Sequence, residues 1–249
     1  MTRLPVICHE TEDFAVVFKP PRMHTAPIGQ DAPLKRDGDE NGSLLDWYAK
    51  LFPPVMELSG KKEIEGGLIH RLDFETQGLV LFAKNRHALE NILLQQKQGK
   101  FIKEYGAVCR KSEPKPDSAQ FDVSAVPPLI IESYFRPYGP GRKQVRPVTK
   151  EKLKGKEIAK DGGAYYKTEI IGIEKKENDG QEVLYHFTVR LKRGFRHQIR
   201  CHLAWAGFPV LNDPLYGNGD VNGFLALRAT ALFFDDPKNR EPFQFRFEQ

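Results

Sequence analysis

Cysteine is scarce in this chain of 249 residues: Cys8, Cys109 and Cys201 stand far apart and never as a close pair. Such spacing supports neither a disulfide framework nor a zinc cluster, and it points to a reducing compartment. His197 and His202 lie five apart with no carboxylate following at ligand spacing, so no metal site is expected. No apolar run approaches the ~20 residues of a membrane span. Met1-Thr2-Arg3-Leu4-Pro5 has no apolar segment of the secretory kind, so a cytoplasmic location without a membrane partner is expected. A glycine-rich dinucleotide fingerprint and a P-loop are both missing. No cofactor is therefore expected, and no solenoid-type repeat recurs.

What is present belongs to a soluble globule, with 40% apolar and 29% charged residues. The length suits one α+β core better than two independent domains, so residues 1–249 are expected to form a single domain. A net charge of +5 and a sequence pI of about 9.0 argue mildly for a polyanionic partner.

Phe14–Phe18 is a short apolar run stopped by Lys19-Pro20-Pro21, which predicts a strand ending in a rigid turn. The Asp/Gly/Lys-rich stretch 30–42 reads as a loop. Ser43 predicts a helix cap, with Leu44, Trp47, Tyr48, Leu51 and Phe52 on one face and Pro53-Pro54 as the stop. Leu79–Phe82 is a predicted strand. Asn85 is a predicted cap for a helix through Lys97 that turns Ala88, Leu89, Ile92 and Leu93 inward, and Phe101–Cys109 returns as a strand. Residues 111–118 form a polar, proline-broken loop. Positive charge is densest over 136–160, with Gly139-Pro140-Gly141 making its first part irregular. That region reads either as a solvated loop or as a phosphate-tracking arm. Tyr165–Ile173 and Val183–Leu191 predict paired strands across the turn 174–181, Arg196–Ala206 a helix, and Phe224–Phe234 and Phe243–Phe247 closing strands. Without strict βαβ alternation, an α+β fold with a mixed sheet is predicted.

Two segments carry the chemistry. Gly67–Phe82 places His70, Arg71 and Asp73 ahead of an apolar strand, an arrangement in which a nearby cation favours an ionised, nucleophilic carboxylate. On its own it reads more readily as a surface ion pair at a strand entrance. Gly194–Leu203 packs Arg196, His197, Gln198 and Arg200 at a predicted helix start, which reads alike as an anion site favoured by backbone N–H groups or as a plain basic helix end. Asn212–Gly217 reads as a tight turn.

In order along the chain, Phe18-Lys19-Pro20-Pro21, His70-Arg71-Leu72-Asp73 with Thr76 and Gly78-Leu79, Lys103-Glu104-Tyr105-Gly106-Ala107-Val108, His197-Gln198-Ile199-Arg200, Asp213-Pro214-Leu215-Tyr216-Gly217 and Leu227 with Ala229 before Leu232–Pro237 resemble the RluA-type RNA pseudouridine synthases. The resemblance implies a largely antiparallel mixed sheet with flanking helices and a central catalytic cleft. It implies isomerisation of uridine in ribosomal or transfer RNA, with no DNA partner and a monomeric enzyme. It also implies Asp73 as the catalytic carboxylate, Arg200 in a salt bridge to it, and Tyr105 stacked on a flipped uracil and taking the late proton. Arg71 would fill the gap left in the RNA, Ile199 and Leu227 would wall the pocket, and Thr76 would sit beside the substrate. His70 and His197 read as RNA contacts or as ordinary hydrogen-bonded histidines. The chain departs from the family pattern at Gln77 (usually Ser), at Arg193-Gly194-Phe195-Arg196 (commonly Thr-Gly-Arg-Thr) and at Arg228 (usually His), and an N-terminal S4-like module is not expected.

Two other readings compete. Asp73-Phe74-Glu75-Thr76 superficially suits a haloacid dehalogenase-type phosphatase, but such an Asp should end an apolar parallel strand, and His70-Arg71 precede this one. An RNA-binding protein without activity would have no reason to keep Asp73, Tyr105 and Arg200 together.

Overall fold

The computed structural model describes residues 4–27, 42–59, 65–113, 119, 121–150, 164–178, 182–217 and 222–247. The expected loops over 30–41 and 114–118, the lysines between 151 and 160, and the turn residues 179–181 lie outside the described residues. The chain forms two compact units, Met1–Lys103 with Arg228–Gln249, and Glu104–Leu227.

In the first unit β1 (Val6–Glu10) pairs antiparallel with β2 (Phe14–Lys19), and β2 with β3 (Gln77–Ala83). Strand β3 then runs parallel to β9 (Leu227–Asp235), which pairs antiparallel with β10 (Pro242–Arg246). Every residue of β2 and β3 is buried. A strand covered on both faces has no use for alternation, which explains the unbroken runs Phe-Ala-Val-Val-Phe and Leu-Val-Leu-Phe.

Helix α2 (Arg86–Lys97) covers one face. Its Ala88, Leu89 and Ile92 pack with Phe14, Val16, Leu79, Leu81, Phe101, Leu232 and Phe234, each large side chain contributing roughly 1.5–3 kcal/mol. Asn85 caps it as expected, accepting from Ala88 N–H at 2.9 Å. Gln95, on the same helix, is buried and clamps both backbone groups of Asp235 at 2.7 Å. Helix α1 (Leu44–Leu51) starts in a full capping box between Ser43 and Asp46 and lays Tyr48 against Phe82 at 4.6 Å. Its inward face is Leu44, Leu45 and Tyr48. Leu51, expected inside, is 58% exposed because the chain turns away into the 3₁₀ turn at Pro53–Glu57.

In the second unit β4 (Ile102–Arg110), β8 (Glu182–Leu191), β7 (Tyr166–Asn178), β5 (Leu129–Tyr138) and β6 (Gln144–Val148) lie in that order, with β8–β7, β7–β5 and β5–β6 antiparallel. Helix α3 (Gln198–Trp205) packs Cys201 against a cluster of Phe135, Val145, Tyr166 and Phe195. His202 is wholly buried between Ser133 Oγ (2.9 Å) and Thr168 Oγ1 (2.8 Å), and desolvation pushes its pKa down to about 3, so it is a neutral core residue. Both units bear out the predicted α+β class with a mixed, mostly antiparallel sheet.

Strand β1 has no counterpart in the sequence reading, and two further expectations are corrected. Residues 136–148 are not an irregular arm: Gly139 (φ +75°) and Gly141 (φ +63°) form the turn of a β5–β6 hairpin. Helix α3 begins at Gln198 rather than Arg196, because His197 adopts a left-handed conformation (φ +56°).

Gly78 marks a close approach between β3 and β9. Its φ is +122°, and a Cβ there would sit 2.3 Å from the Ala229 carbonyl oxygen and 2.5 Å from its nitrogen. Gly78→Ala is expected to lower stability by at least about 2 kcal/mol, since strain and overpacking each cost about 1–3 kcal/mol. Urea unfolding measures it, and an unchanged midpoint would refute the close approach.

Candidate active site

Asp73 stands on a loop without regular structure, just ahead of β3, half-buried. The buried backbone of such a loop must find its hydrogen bonds elsewhere. Thr25 supplies two, its Oγ1 donating to Leu72 O at 2.8 Å and accepting from Leu72 N–H at 3.1 Å. Thr76 N–H closes the turn on Asp73 O at 3.1 Å. Upstream, His70 Nε2 accepts from Leu81 N–H at 3.2 Å, which fixes the segment to β3.

Lys19 is the remaining tie. Its ammonium is fully buried and donates to Pro20 O (2.9 Å), Met23 O (2.8 Å) and Phe74 O (3.3 Å). Three acceptors match three N–H donors. Desolvation pushes its pKa down to about 7, against the upward pull of the Asp73 and Glu75 carboxylates. Arg71 projects outward with its side chain 55% exposed, held by buried Glu65 at 3.0 Å. One guanidinium nitrogen is held while more than half of the side chain stays accessible.

In the second unit Arg200 is 2% exposed and clamps Asp213 with two parallel bonds, Nε to Oδ2 at 2.8 Å and Nη2 to Oδ1 at 2.7 Å. Asp213 Oδ1 also accepts from Leu215 N–H and Tyr216 N–H. The turn at 213–217, read from sequence as simple turn chemistry, is therefore the counter-ion site of Arg200. The Tyr216 hydroxyl accepts from Val145 N–H at 2.8 Å and lies 3.1 Å from His197 Nδ1, and its burial pushes its pKa up.

Of the residues singled out in the sequence, His70, Arg71, Asp73 and Thr76 share one loop of the first unit, and His197, Ile199 and Arg200 share the start of α3 in the second. Tyr105 lies buried on β4, and Leu227 is the buried first residue of β9. Lys19, Thr25, Glu65, Asp213 and Tyr216 were not singled out as site residues, although Lys19, Asp213 and Tyr216 lie inside quoted motifs. The three departures resolve physically. Phe195 stacks on Phe135 at 5.0 Å, and Arg196 donates to the carbonyls of Arg142 (2.8 Å) and Gln144 (3.2 Å). Gln77 and Arg228 are register partners across β3 and β9, with Arg228 Nη2 3.4 Å from Gln77 Oε1, so two of the departures form one contact. Asp73 precedes β3 instead of ending a strand, which removes the geometry a haloacid dehalogenase-type phosphatase needs. Among the described residues no group of three or more His, Cys, Asp or Glu could hold a metal.

Two outcomes are expected. Asp213→Ala leaves a buried guanidinium without its carboxylate and should cost about 3–5 kcal/mol in urea unfolding; a loss below about 1 kcal/mol would contradict the clamp. Folded Lys19 loses its proton near pH 7, whereas an unfolded lysine keeps it to about 10.4. Between those values the unfolded state binds more protons, so stability rises with pH. Relative to Lys19→Met, the native protein should gain up to about 1.4 kcal/mol per pH unit from pH 7 to 9, and parallel pH profiles would exclude this.

Known proteins show the same pattern. The family described as RNA pseudouridylate synthase matches residues 13–205. "Ribosomal large subunit pseudouridine synthase D" of Haemophilus ducreyi is 25% identical over 94% of this chain and 64% of its own length. "Uncharacterized RNA pseudouridine synthase YlyB" of Bacillus subtilis is 29% identical over 96% and 67%. An uncharacterized RNA pseudouridine synthase of Aquifex aeolicus is 31% identical over 85% and 55%. The chain thus spans about two thirds or less of these relatives. Among solved structures, human RNA pseudouridylate synthase domain containing 1 matches 99% of this chain and 84% of its own at a TM-score of 0.67 and 19% identity, a likeness of fold. With the family's match running from β2 to the end of α3 and all its motifs in order, the chain belongs to the RNA pseudouridylate synthases, in their RluA-type branch.

Proposed function

We propose that this protein isomerises uridine to pseudouridine in structured RNA. The observation that carries the reading is Asp73: a half-exposed carboxylate on a loop whose backbone is pinned by Thr25, Lys19 and His70. A reacting group held in this way needs little reorganisation at the moment of reaction.

The target nucleotide leaves its stack at a cost of a few kcal/mol, and the exposed Arg71 guanidinium fills the space it vacates. Asp73 promotes cleavage of the ribose C1′–N1 bond, the detached uracil turns, and C5 bonds to C1′. The C5 proton then leaves and N1 gains one, so atoms and electrons balance without a cofactor. Tyr105 stacks on the flipped base and accepts the C5 proton, and Ile199 and Leu227 give the pocket apolar walls. Arg200 supplies the cation of the site, and Asp213 fixes its orientation through two of the five guanidinium donors. His70 and Thr76 hold the loop, and His197 braces Tyr216. The enzyme works as a cytoplasmic monomer. Relatives named for the large ribosomal subunit make ribosomal RNA the first substrate to test, ahead of transfer RNA.

Pseudouridine mapped across total RNA from cells with and without the protein is expected to reveal the modified positions. Asp73→Asn should abolish them while leaving RNA affinity within about twofold, because only the reacting oxygen changes. An Asn variant that still converts uridine would overturn the mechanism, and full binding without any conversion by the native protein would favour a silent RNA-binding role.

A further inference from the structure

The charge of this chain is unevenly distributed. Between Ser133 and Lys150 there are five cations (Arg136, Arg142, Lys143, Arg146 and Lys150) and no acidic residue, so these 18 residues carry the whole net charge of +5. Outside them, cations and carboxylates cancel. The structure places four of the five on the β5–β6 hairpin, with Lys150 just beyond it.

Arg136 and Arg146 are direct cross-strand partners, so two cations occupy facing positions of the hairpin. Arg142 and Lys143 sit exposed at the turn, Arg142 in a left-handed conformation with φ +53°. Tyr138 is 47% exposed beside them, with the Arg146 guanidinium 5.4 Å from its ring centroid. Arg196, immediately ahead of α3, grips the carbonyls of Arg142 and Gln144. The turn is thereby fixed to the segment that leads to Arg200. A rigid cationic ridge with an exposed aromatic suits a chain of closely spaced anions that also carries stackable rings.

We propose that the β5–β6 hairpin grips the phosphodiester backbone of structured RNA outside the flipped nucleotide, with Arg136, Arg142, Lys143 and Arg146 as phosphate contacts. This surface rests on the synthase reading and adds to it the place where affinity arises. Backbone contacts of this kind fix register and supply salt-sensitive affinity without reading sequence.

The test uses the full chain carrying Asp73→Asn, so that no turnover intervenes. The probe is an RNA hairpin with a stem of about 16 base pairs and a uridine-containing loop. Affinity is measured between about 50 and 200 mM salt. Removing Arg142 and Lys143 together (both to Gln) should flatten the dependence of log affinity on log salt by about two units, one per phosphate contact. Binding at low salt should fall at least about tenfold. Arg136→Gln with Arg146→Gln should do the same, and Arg142→Lys should retain the slope.

The control removes equal charge from exposed Lys175 and Lys176 on β7, which pair with Glu177 and Glu174, and should leave the slope unchanged. Equal losses from control and hairpin, an unchanged hairpin slope, or tighter binding to vesicles rich in phosphatidylserine than to the RNA would each overturn the proposal. Pseudouridine mapping with the native protein separates the two readings. Product formation with unaltered hairpin slopes sinks the surface alone, and altered slopes without product sink the synthase reading alone.

Discussion

A buried ammonium holds the Asp73 loop in place. Between Leu68 and Gln77 the chain has no helix or strand to satisfy its polar backbone, and yet it must present a carboxylate in one position. Lys19 solves this by reaching from the end of β2 to Phe74 O while also gathering Pro20 O and Met23 O. One charge thus joins two stretches 55 residues apart. The position is marginal, because burial pushes the group toward neutrality while the nearby carboxylates oppose it. A neutral amine would have two donors for three carbonyls. The contact left unmade would loosen either the turn after β2 or the loop that carries Asp73.

Arg200 and Asp213 do comparable work in the second unit by a different means. Ion pairs this deeply buried add little net stability over a well-packed apolar pair, but they are costly to break and they demand a specific geometry. Here the same carboxylate that clamps the guanidinium also organises the turn to Tyr216 through two backbone N–H groups. The orientation of Arg200 is therefore inherited from the turn at 213–217. This gives a physical reason for Asp-Pro-Leu-Tyr-Gly and His-Gln-Ile-Arg to occur as a matched set in one sequence.

Local rules were readable and long-range ones were not. Ser43 and Asn85 announced α1 and α2 because a cap acts within three residues of itself. The buried strands β2 and β3 were visible as apolar runs. Strand β5 escaped notice although Ile131, Ser133 and Phe135 alternate inward, since a serine hydrogen-bonded to His202 does not look like core. Gly139-Pro140-Gly141 read as a break in structure when it is the turn that makes the hairpin. The start of α3 was misplaced by two residues because Gln198 turns its side chain back to Phe195 N–H and leaves His197 in a left-handed conformation. Within the candidate site, the motifs contain the residues assigned to the proposed reaction, whereas Lys19, Thr25 and Asp213 derive their roles from burial, which only tertiary packing creates.

The uneven charge separates affinity from chemistry. Around Asp73 the signs balance: Glu65 holds Arg71, Arg22 lies 3.7 Å from Glu75, and Lys19 offsets part of the loop's negative potential. A loop neutral in sum does not attract a polyanion from a distance, nor does it repel one. The hairpin at 133–150 concentrates the attraction instead, and attraction to phosphates is blind to sequence. On the proposed function, selection of one uridine among many then comes from the fit of the flipped base and from the cost of extruding it, which is least where the RNA is already unpaired or strained. On this division, raising the salt should weaken binding to every RNA alike and leave the preference among uridines untouched.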